Sequence, residues 1–320
     1  MRKSVVRRVG IVTDASSDLP RAYLDAHNIA IMPAIVTNGA NRIWDTRDIV
    51  ATSSFLEVMK RASSPAYNLE YLSSQQFRDF FTEHLVLNYD DVFYVASAAS
   101  RSPVLQIAHK ASEGIISNSV APRHQLGIDE LFRMHVIDST VIFAGLGLIV
   151  SDIAARIVTG ADSAQVTQRI NLLKQHTQTF VVPMGLTELY YKAKETGDNS
   201  LGFTKYALGR ALNIKPIVRC YRGNTEPVAE IMGYGKALKK LFTSVAAAVR
   251  SGLLVNTICI SYAGNIDELS GYEGYSALLE VAAGCGVGVH ICVSSPVSAV
   301  YLGANVLTLG VASNKPIEIH

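Results

Sequence analysis

The sequence predicts an α/β protein of two α/β domains, the first a doubly wound, largely parallel sheet. Three observations carry this expectation. Short β-branched, apolar runs alternate with segments of helical periodicity, the order that feeds parallel strands through crossover helices. The first such run, Val9 to Thr13, is almost continuously apolar, as a strand covered on both faces is. The chain has 320 residues, enough for one large or two ordinary domains. Thr159-Gly160-Ala161-Asp162 is the best boundary, with Gly160 ending one helix and Asp162 capping the next. The expected domains are therefore 1–160 and 161–320.

The elements follow in order. After strand Val9–Thr13, Asp14-Ala15-Ser16-Ser17-Asp18 forms a polar turn. Ser17 or Asp18 is placed to cap the next helix, and Pro20 fits its first turn. A short helix over 21–27 precedes a strand over 29–37 and an Asn38-Gly39 turn. Ser54…Glu57 and Ser73…Gln76 are capping-box patterns, starting helices that run to about Arg61 and Leu87. Residues 63–72 between them read as a loop. Strand 91–96 and helix 103–117 come next, the helix carrying Val104, Ile107, Ala108, Ala111 and Ile115 on one face. Strand 135–138 feeds a small-residue helix over 140–158 with Gly145 and Gly147. The second half predicts helix 164–176, strand 179–182 and a helix-rich stretch over 185–212 broken at Gly197-Asp198-Asn199. A hairpin follows, 214–221 with 226–232, turning at Arg222-Gly223-Asn224. Helix 235–250, strand 257–262, helix 268–283, strand 287–293, a short helix from Pro296 and strand 305–312 close the chain.

Composition narrows the function. The chain is 49% hydrophobic and 18% charged, so it can bury a sizeable core. With 29 basic and 27 acidic residues, the net charge of +2 gives no general case for nucleic acid or a membrane surface. The basic group Arg2, Lys3, Arg7 and Arg8 reads as a solvated strand end. Cys220, Cys259, Cys285 and Cys292 form no CxxC pair and sit in apolar runs, as reduced core residues do. Asp14, Ser16, Ser17 and Asp18 interrupt any signal-peptide apolar region, and the apolar run Val141–Val150 is too short to span a bilayer. A cytoplasmic protein with no integral membrane contact is expected.

Four motifs bear on a site. The turn Thr13 to Asp18 is either a donor-rich, ligand-facing edge or plain turn and cap chemistry. In Ala96-Ser97-Ala98-Ala99-Ser100-Arg101-Ser102-Pro103, Ser102 is the expected N-cap and Pro103 the first helical residue. The exposed N–H groups of that helix start suit an anion, with Ser102 as hydrogen-bond donor and Arg101 as charge. Asp138-Ser139-Thr140 before Gly145 and Gly147 provides close helix packing or room for a ligand chain. Val293-Ser294-Ser295-Pro296 is a second polar turn leading into a helix. There is no GxSxG, Walker loop, HExxH or GxGxxG, and the eight histidines are scattered, so neither an enzyme of those classes nor a cofactor is expected.

Several of these stretches together resemble the DegV family of bacterial fatty-acid-binding proteins. Ile11-Val12-Thr13-Asp14-Ala15-Ser16-Ser17-Asp18-Leu19-Pro20 is similar to its N-terminal signature, and Val136-Ile137-Asp138-Ser139 with Gly145-Leu146-Gly147 to its middle motif. Leu212-Asn213-Ile214-Lys215-Pro216-Ile217, Glu226-Pro227-Val228 and Lys236-Ala237-Leu238 resemble its second domain, in the same order. The resemblance implies a lipid site near the domain cleft. A long-chain fatty acid is the ligand it implies, with the acyl tail in an apolar tunnel and the carboxylate on hydroxyls. A separate fatty acid kinase is the partner it implies, and the binding protein contributes no catalytic machinery. On this reading Ser102 and the helix start hold the carboxylate, with Arg101, Ser97, Asp14, Ser16, Ser17, Ser294 and Ser295 around them.

The sequence departs from the family at four places. Arg101-Ser102-Pro103-Val104 stands for Leu-Ser-Gly-Thr, and Tyr67-Asn68 or Ser73-Ser74 for a Thr-Ser pair. Asp198-Asn199-Ser200-Leu201 lacks an arginine, and Val293 to Val297 lacks a histidine. Two other classes stay open: an enzyme or kinase-partner subunit for a small polar, hydroxyketone-like substrate, and a ligand-free regulatory scaffold.

Overall fold

The computed structural model describes residues 7–61, 67–187 and 211–319. Its first sheet has the order β2-β1-β6-β7, formed by Ala30–Met32, Val9–Asp14, Asp91–Ala96 and Arg133–Asp138. Every pairing in it is parallel. All six residues of β6 are buried, as expected for a strand covered on both faces. One face packs against α3 (Ser74–His84) and α4 (Val104–Gln125) through Val12, Tyr94, Phe77, Phe81 and Ala108. The other packs against α5 (Phe143–Val158) and α6 (Ser163–His176) through Ile11, Phe93, Leu146 and Ile170.

The second sheet has the order β10-β9-β8-β13-β11-β12, from Asn224–Met232, Ile214–Tyr221, Thr177–Val182, Leu307–Ala312, Thr257–Tyr262 and Gly288–Val293. Only β11 and β12 pair in parallel; the other pairings are antiparallel. Helices α7 (Tyr234–Ser251) and α8 (Tyr275–Gly284) cover one of its faces. α5 packs against the other face while also touching β1 and β6, so it joins the two sheets. The domain division at 160 is a proposal, and the sheets are consistent with it: strands of the first end at Asp138 and those of the second begin at Thr177.

A small antiparallel sheet, β4-β3-β5, stands beside the first (Asn41–Asp45, Ala34–Asn38, Asn68–Tyr71). It corrects two expectations. The strand expected over 29–37 divides at Pro33, which has no N–H to donate, so β2 and β3 join different sheets. Asn68–Tyr71, expected within a loop, pairs with β3; residues 63–66 of that loop lie outside the described residues.

Helix boundaries shift for local reasons. α2 spans Ile49–Arg61, and the Asp48 side chain accepts the Ala51 N–H at 2.8 Å, so the Ser54 pattern is not its start. The Ser73 and Asp162 caps form as expected, each with a full capping box. α1 (Arg21–Ala26) has Pro20 at its N-cap and no side-chain cap, so neither Ser17 nor Asp18 serves there. α4 runs on to Gln125, beyond Ser117. The helix expected over 268–283 divides into a 3₁₀ turn, Ile266–Gly271, and α8, which starts after Gly274 at φ 89°. Most of the stretch 185–212, including the break at 197–199, lies outside the described residues. No helix among the described residues is long and apolar enough to cross a membrane.

The small residues of α5 serve packing. A Cβ at Gly147 would stand 2.6 Å from the Asp18 carbonyl oxygen and 3.2 Å from the Leu19 side chain. Gly147→Ala is therefore expected to displace the β1–α1 turn and destabilise the protein by about 1–3 kcal/mol, read as a lower urea midpoint. An unchanged midpoint contradicts this packing.

Candidate functional site

The carboxyl edge of β1 buries two aspartates four residues apart, and each gathers its own set of donors. Asp14 closes the strand. Its carboxylate accepts the Ser16 N–H at 3.0 Å, the Ser97 N–H at 2.8 Å and the Ser97 hydroxyl at 3.2 Å, and also the Ser16 hydroxyl. The two serine hydroxyls are 2.7 Å apart. Parallel pairing of β1 with β6 places the turn after β6, which begins at Ser97, beside this strand end. Burial pushes the Asp14 carboxyl up, and the hydrogen bonds from Ser16 and Ser97 oppose that shift.

A row of hydroxyls adjoins Asp14. Tyr94 of β6 is the register partner of Val12, so its side chain leaves the sheet on the Asp14 face. Its hydroxyl is buried and has no hydrogen-bond partner. Burial, then the nearby Asp14 carboxylate and the Tyr71 phenol, raise its pKa well above that of an ordinary tyrosine. Tyr71, at the end of β5, lies 3.0 Å hydroxyl to hydroxyl from Tyr301 of α9 (Pro296–Leu302), and burial and Tyr301 raise its pKa while the nearby Ser102 side chain opposes the rise.

Ser102 stands one residue further from α4 than expected. Pro103 occupies the N-cap with φ −77°, and the helix starts at Val104, whose N–H reaches the Ser102 hydroxyl at 3.4 Å. Arg101 is exposed, and its backbone N–H donates to the Ala98 carbonyl at 2.8 Å. Ser17 is fully buried, and its hydroxyl has no partner.

Asp18 heads the second group. It accepts the Ser295 N–H at 2.9 Å, the Ser261 hydroxyl at 2.5 Å and the Ser298 hydroxyl at 3.2 Å, and Arg47 stands 3.6 Å away. The Ser295 hydroxyl caps α9 by accepting the Ser298 N–H at 3.0 Å, and Ser294 donates to Ser261 at 3.0 Å. The structure therefore brings Asp14, Ser16 and Ser97 into contact and sets Ser102 near Tyr71. It places Ser294 and Ser295 on the other carboxylate.

Arg47 locks this second group across the two sheets. It is buried in the loop after β4, with φ 62°, and donates to the Val293 carbonyl at 2.9 Å and the Leu19 carbonyl at 3.3 Å. Asp45 accepts the Arg47 backbone N–H at 3.1 Å. Burial pushes Asp45 up to about 6, although Arg47 pulls the other way. Tyr71, Tyr301, Tyr94, Arg47, Ser261 and Ser298 were not singled out by the sequence, because contacts between distant segments assemble their roles. No cluster of metal-ligating side chains occurs among the described residues.

Two predictions follow from the Arg47 group. Arg47→Met strands buried Asp18 and Asp45, so urea unfolding is expected to show a loss of about 3–5 kcal/mol. A carboxyl raised on folding favours the folded state below its unfolded range and loses that contribution as pH rises through its folded value. From about 4 to about 7, the stability of the parent relative to Asp45→Asn is therefore expected to fall by roughly 3 kcal/mol. A pH-independent difference contradicts the assignment.

The chain has close counterparts among known proteins. A family model described as an uncharacterised protein of the DegV family matches residues 8–314. A DegV domain-containing protein of Xanthomonas axonopodis pv. citri is 35% identical over 306 residues, covering 96% of this chain and 98% of that protein. Two solved structures share the fold at low identity. A fatty acid (stearic acid)-binding protein from Eubacterium ventriosum superposes with a TM-score of 0.75 at 18% identity, covering 95% of this chain and 98% of that one. The Streptococcus pneumoniae Fatty Acid Kinase (Fak) B3 protein loaded with linoleic acid gives 0.69 at 15% identity, covering 96% and 100%. Paired with the α/β fold and the buried turn after β1, a family match that runs from the first strand to past the last makes this chain a member of the DegV family.

Proposed function

We propose that the protein binds a long-chain fatty acid, its carboxyl group at Ser102, Tyr71 and Tyr301 and its tail in the apolar layer behind them. The observation that carries this is the buried, unpartnered Tyr94 hydroxyl at a cluster of neutral hydroxyls beside the α4 N-terminus. A buried polar group without a partner is costly, and a ligand headgroup supplies the partner. The carboxyl edge of a parallel sheet is also where open α/β folds take ligands.

The apolar layer begins at the same residues. Tyr301 and Leu69 pack against a cluster that includes Val36, Phe55, Leu56, Phe143, Val181 and Val300. This cluster lies between the small sheet with α2 on one side and β8 and α9 on the other. Burial there is worth about 0.8 kcal/mol per methylene, so the tail dominates affinity and the hydroxyls set its direction. The likeness to a stearic acid-binding protein and to a protein loaded with linoleic acid supports the reading.

Handing the bound acid to a separate fatty acid kinase is the further step, supported by the likeness to the B3 protein of such a system. The four cysteines are free, and three are buried, which favours a reducing compartment and a cytoplasmic location. The protein acts on this reading as a carrier, without a cofactor or chemistry of its own. Ser200, where the family has an arginine, lies outside the described residues.

Denaturing mass spectrometry of protein purified from bacteria is expected to release a long-chain fatty acid. After delipidation, Ser102→Ala and Tyr71→Phe are each expected to weaken rebinding about tenfold, the loss of one hydrogen bond to a charged or polar headgroup. Protein free of lipid that also fails to bind fatty acid after delipidation overturns the proposal.

A further inference from the structure

The headgroup cluster has an unusual charge balance. Its hydrogen-bonding groups are neutral: Ser16, Ser97, Ser102, Tyr71, Tyr94 and Tyr301. Its one buried ionisable acid is Asp14, and among the described residues no ion pair reaches it. Each element around Asp14 contributes to this balance. β2 puts Met32 opposite it, and β6 with its following turn contributes Tyr94 and Ser97. β5 brings Tyr71, and α9 brings Tyr301 to Tyr71. α3 and α4 contribute Phe77, Phe81 and Val104 to this side of the sheet. At the end of β7 stands a further acid, Asp138, which accepts the Thr140 N–H at 2.8 Å and the Ala99 N–H at 3.4 Å. The cation of the turn, Arg101, is exposed, and the buried cation Arg47 stands with Asp18 and the Val293 carbonyl.

An ionised carboxylate placed among these hydroxyls meets a second buried negative charge. Two carboxylates sharing one desolvated site do not both stay ionised; one of them takes up a proton. Burial pushes the Asp14 carboxyl up, while the N–H and hydroxyl groups of Ser16 and Ser97 oppose that shift and favour its ionised form before the ligand enters. We infer that the site takes its lipid with a neutral headgroup, so that an ionised fatty acid enters with one proton, held between the ligand carboxyl and Asp14. The proton comes from a solvent or buffer acid, whose bond to it breaks as the carboxyl O–H bond forms, and Asp14 lies on the Tyr94 face of the sheet, where its charge acts on the Tyr94 and Tyr71 phenols. This inference rests on the fatty-acid reading and adds the protonation state and class of headgroup. Neutral lipids of matched chain, such as fatty alcohols, fit the same hydroxyls without the proton.

The test uses the delipidated full chain, with dodecanoate and 1-dodecanol as probes, by isothermal titration calorimetry. Free dodecanoate is ionised at neutral pH, so its Kd is expected to rise about tenfold per pH unit between about pH 6 and about pH 8. The Kd of 1-dodecanol is expected to stay constant over that range. In Asp14→Asn, whose side-chain oxygen still accepts from Ser16 and Ser97, the pH dependence for dodecanoate is expected to vanish. Retained dodecanol binding shows that this variant is folded; if it is lost, the parent protein's slope and its proton uptake, read from the buffer dependence of the binding heat, decide alone. A pH-independent dodecanoate Kd in the parent protein, or an unchanged slope in Asp14→Asn with dodecanol bound, overturns the inference and leaves fatty-acid binding standing. Absence of binding by both probes at every pH overturns both readings.

Discussion

Burial of two carboxylates on one five-residue turn is the constraint around which the molecule is arranged. Asp14 and Asp18 are each no more than 5% exposed, and a buried carboxylate is stable only where donors surround it. Asp14 draws its donors from within the first sheet, from the turns after β1 and β6. Asp18 draws its donors from β11, α9 and the loop after β4. The turn between them therefore joins the halves of the chain. Gly147 allows α5 to approach the Asp18 carbonyl, which leaves the turn no room to relax.

The two carboxylates differ in what their partners leave available. The Asp18 group commits its serine hydroxyls and Arg47 Nη2 to contacts between segments, while Arg47 Nε and Nη1 and Asp45 Oδ2 have no hydrogen-bond partner. The Asp14 group ends in hydroxyls that still have hydrogen-bonding capacity, at Tyr94 most plainly. Our proposal puts the headgroup on the neutral side, at Tyr71, Tyr301 and Ser102, because the charge of Arg47 is already paired with Asp18.

The parallel sheet was legible in the sequence because its strands are short, apolar and followed by capped helices, as Asp162 with Gln165 shows. The family was legible because its motifs occur in order. Pro33 was the readable signal that a strand splits, and a single apolar run through it concealed the small sheet. The site was legible only in part. Ser97, Ser16 and Asp14 belong to turns that sequence patterns mark. Tyr71 and Tyr301 are 230 residues apart, and Arg47 reaches Val293 across 246. No local pattern encodes such contacts; they exist only once β5, α9 and the β4 loop have packed. Asp18 looked like a helix cap because Asp is a good one, yet tertiary donors outcompeted that local role.

The central claim is that the hydroxyl cluster beside the α4 N-terminus receives the lipid headgroup. A crystal structure of the protein loaded with hexadecanoate tests it most directly. The account predicts the carboxyl group within hydrogen-bonding distance of the Tyr71, Tyr301 and Ser102 hydroxyls, with the chain running between α2 and the second sheet. A carboxyl group bound instead at Arg47 and Ser294, or a tail lodged outside that apolar layer, contradicts it.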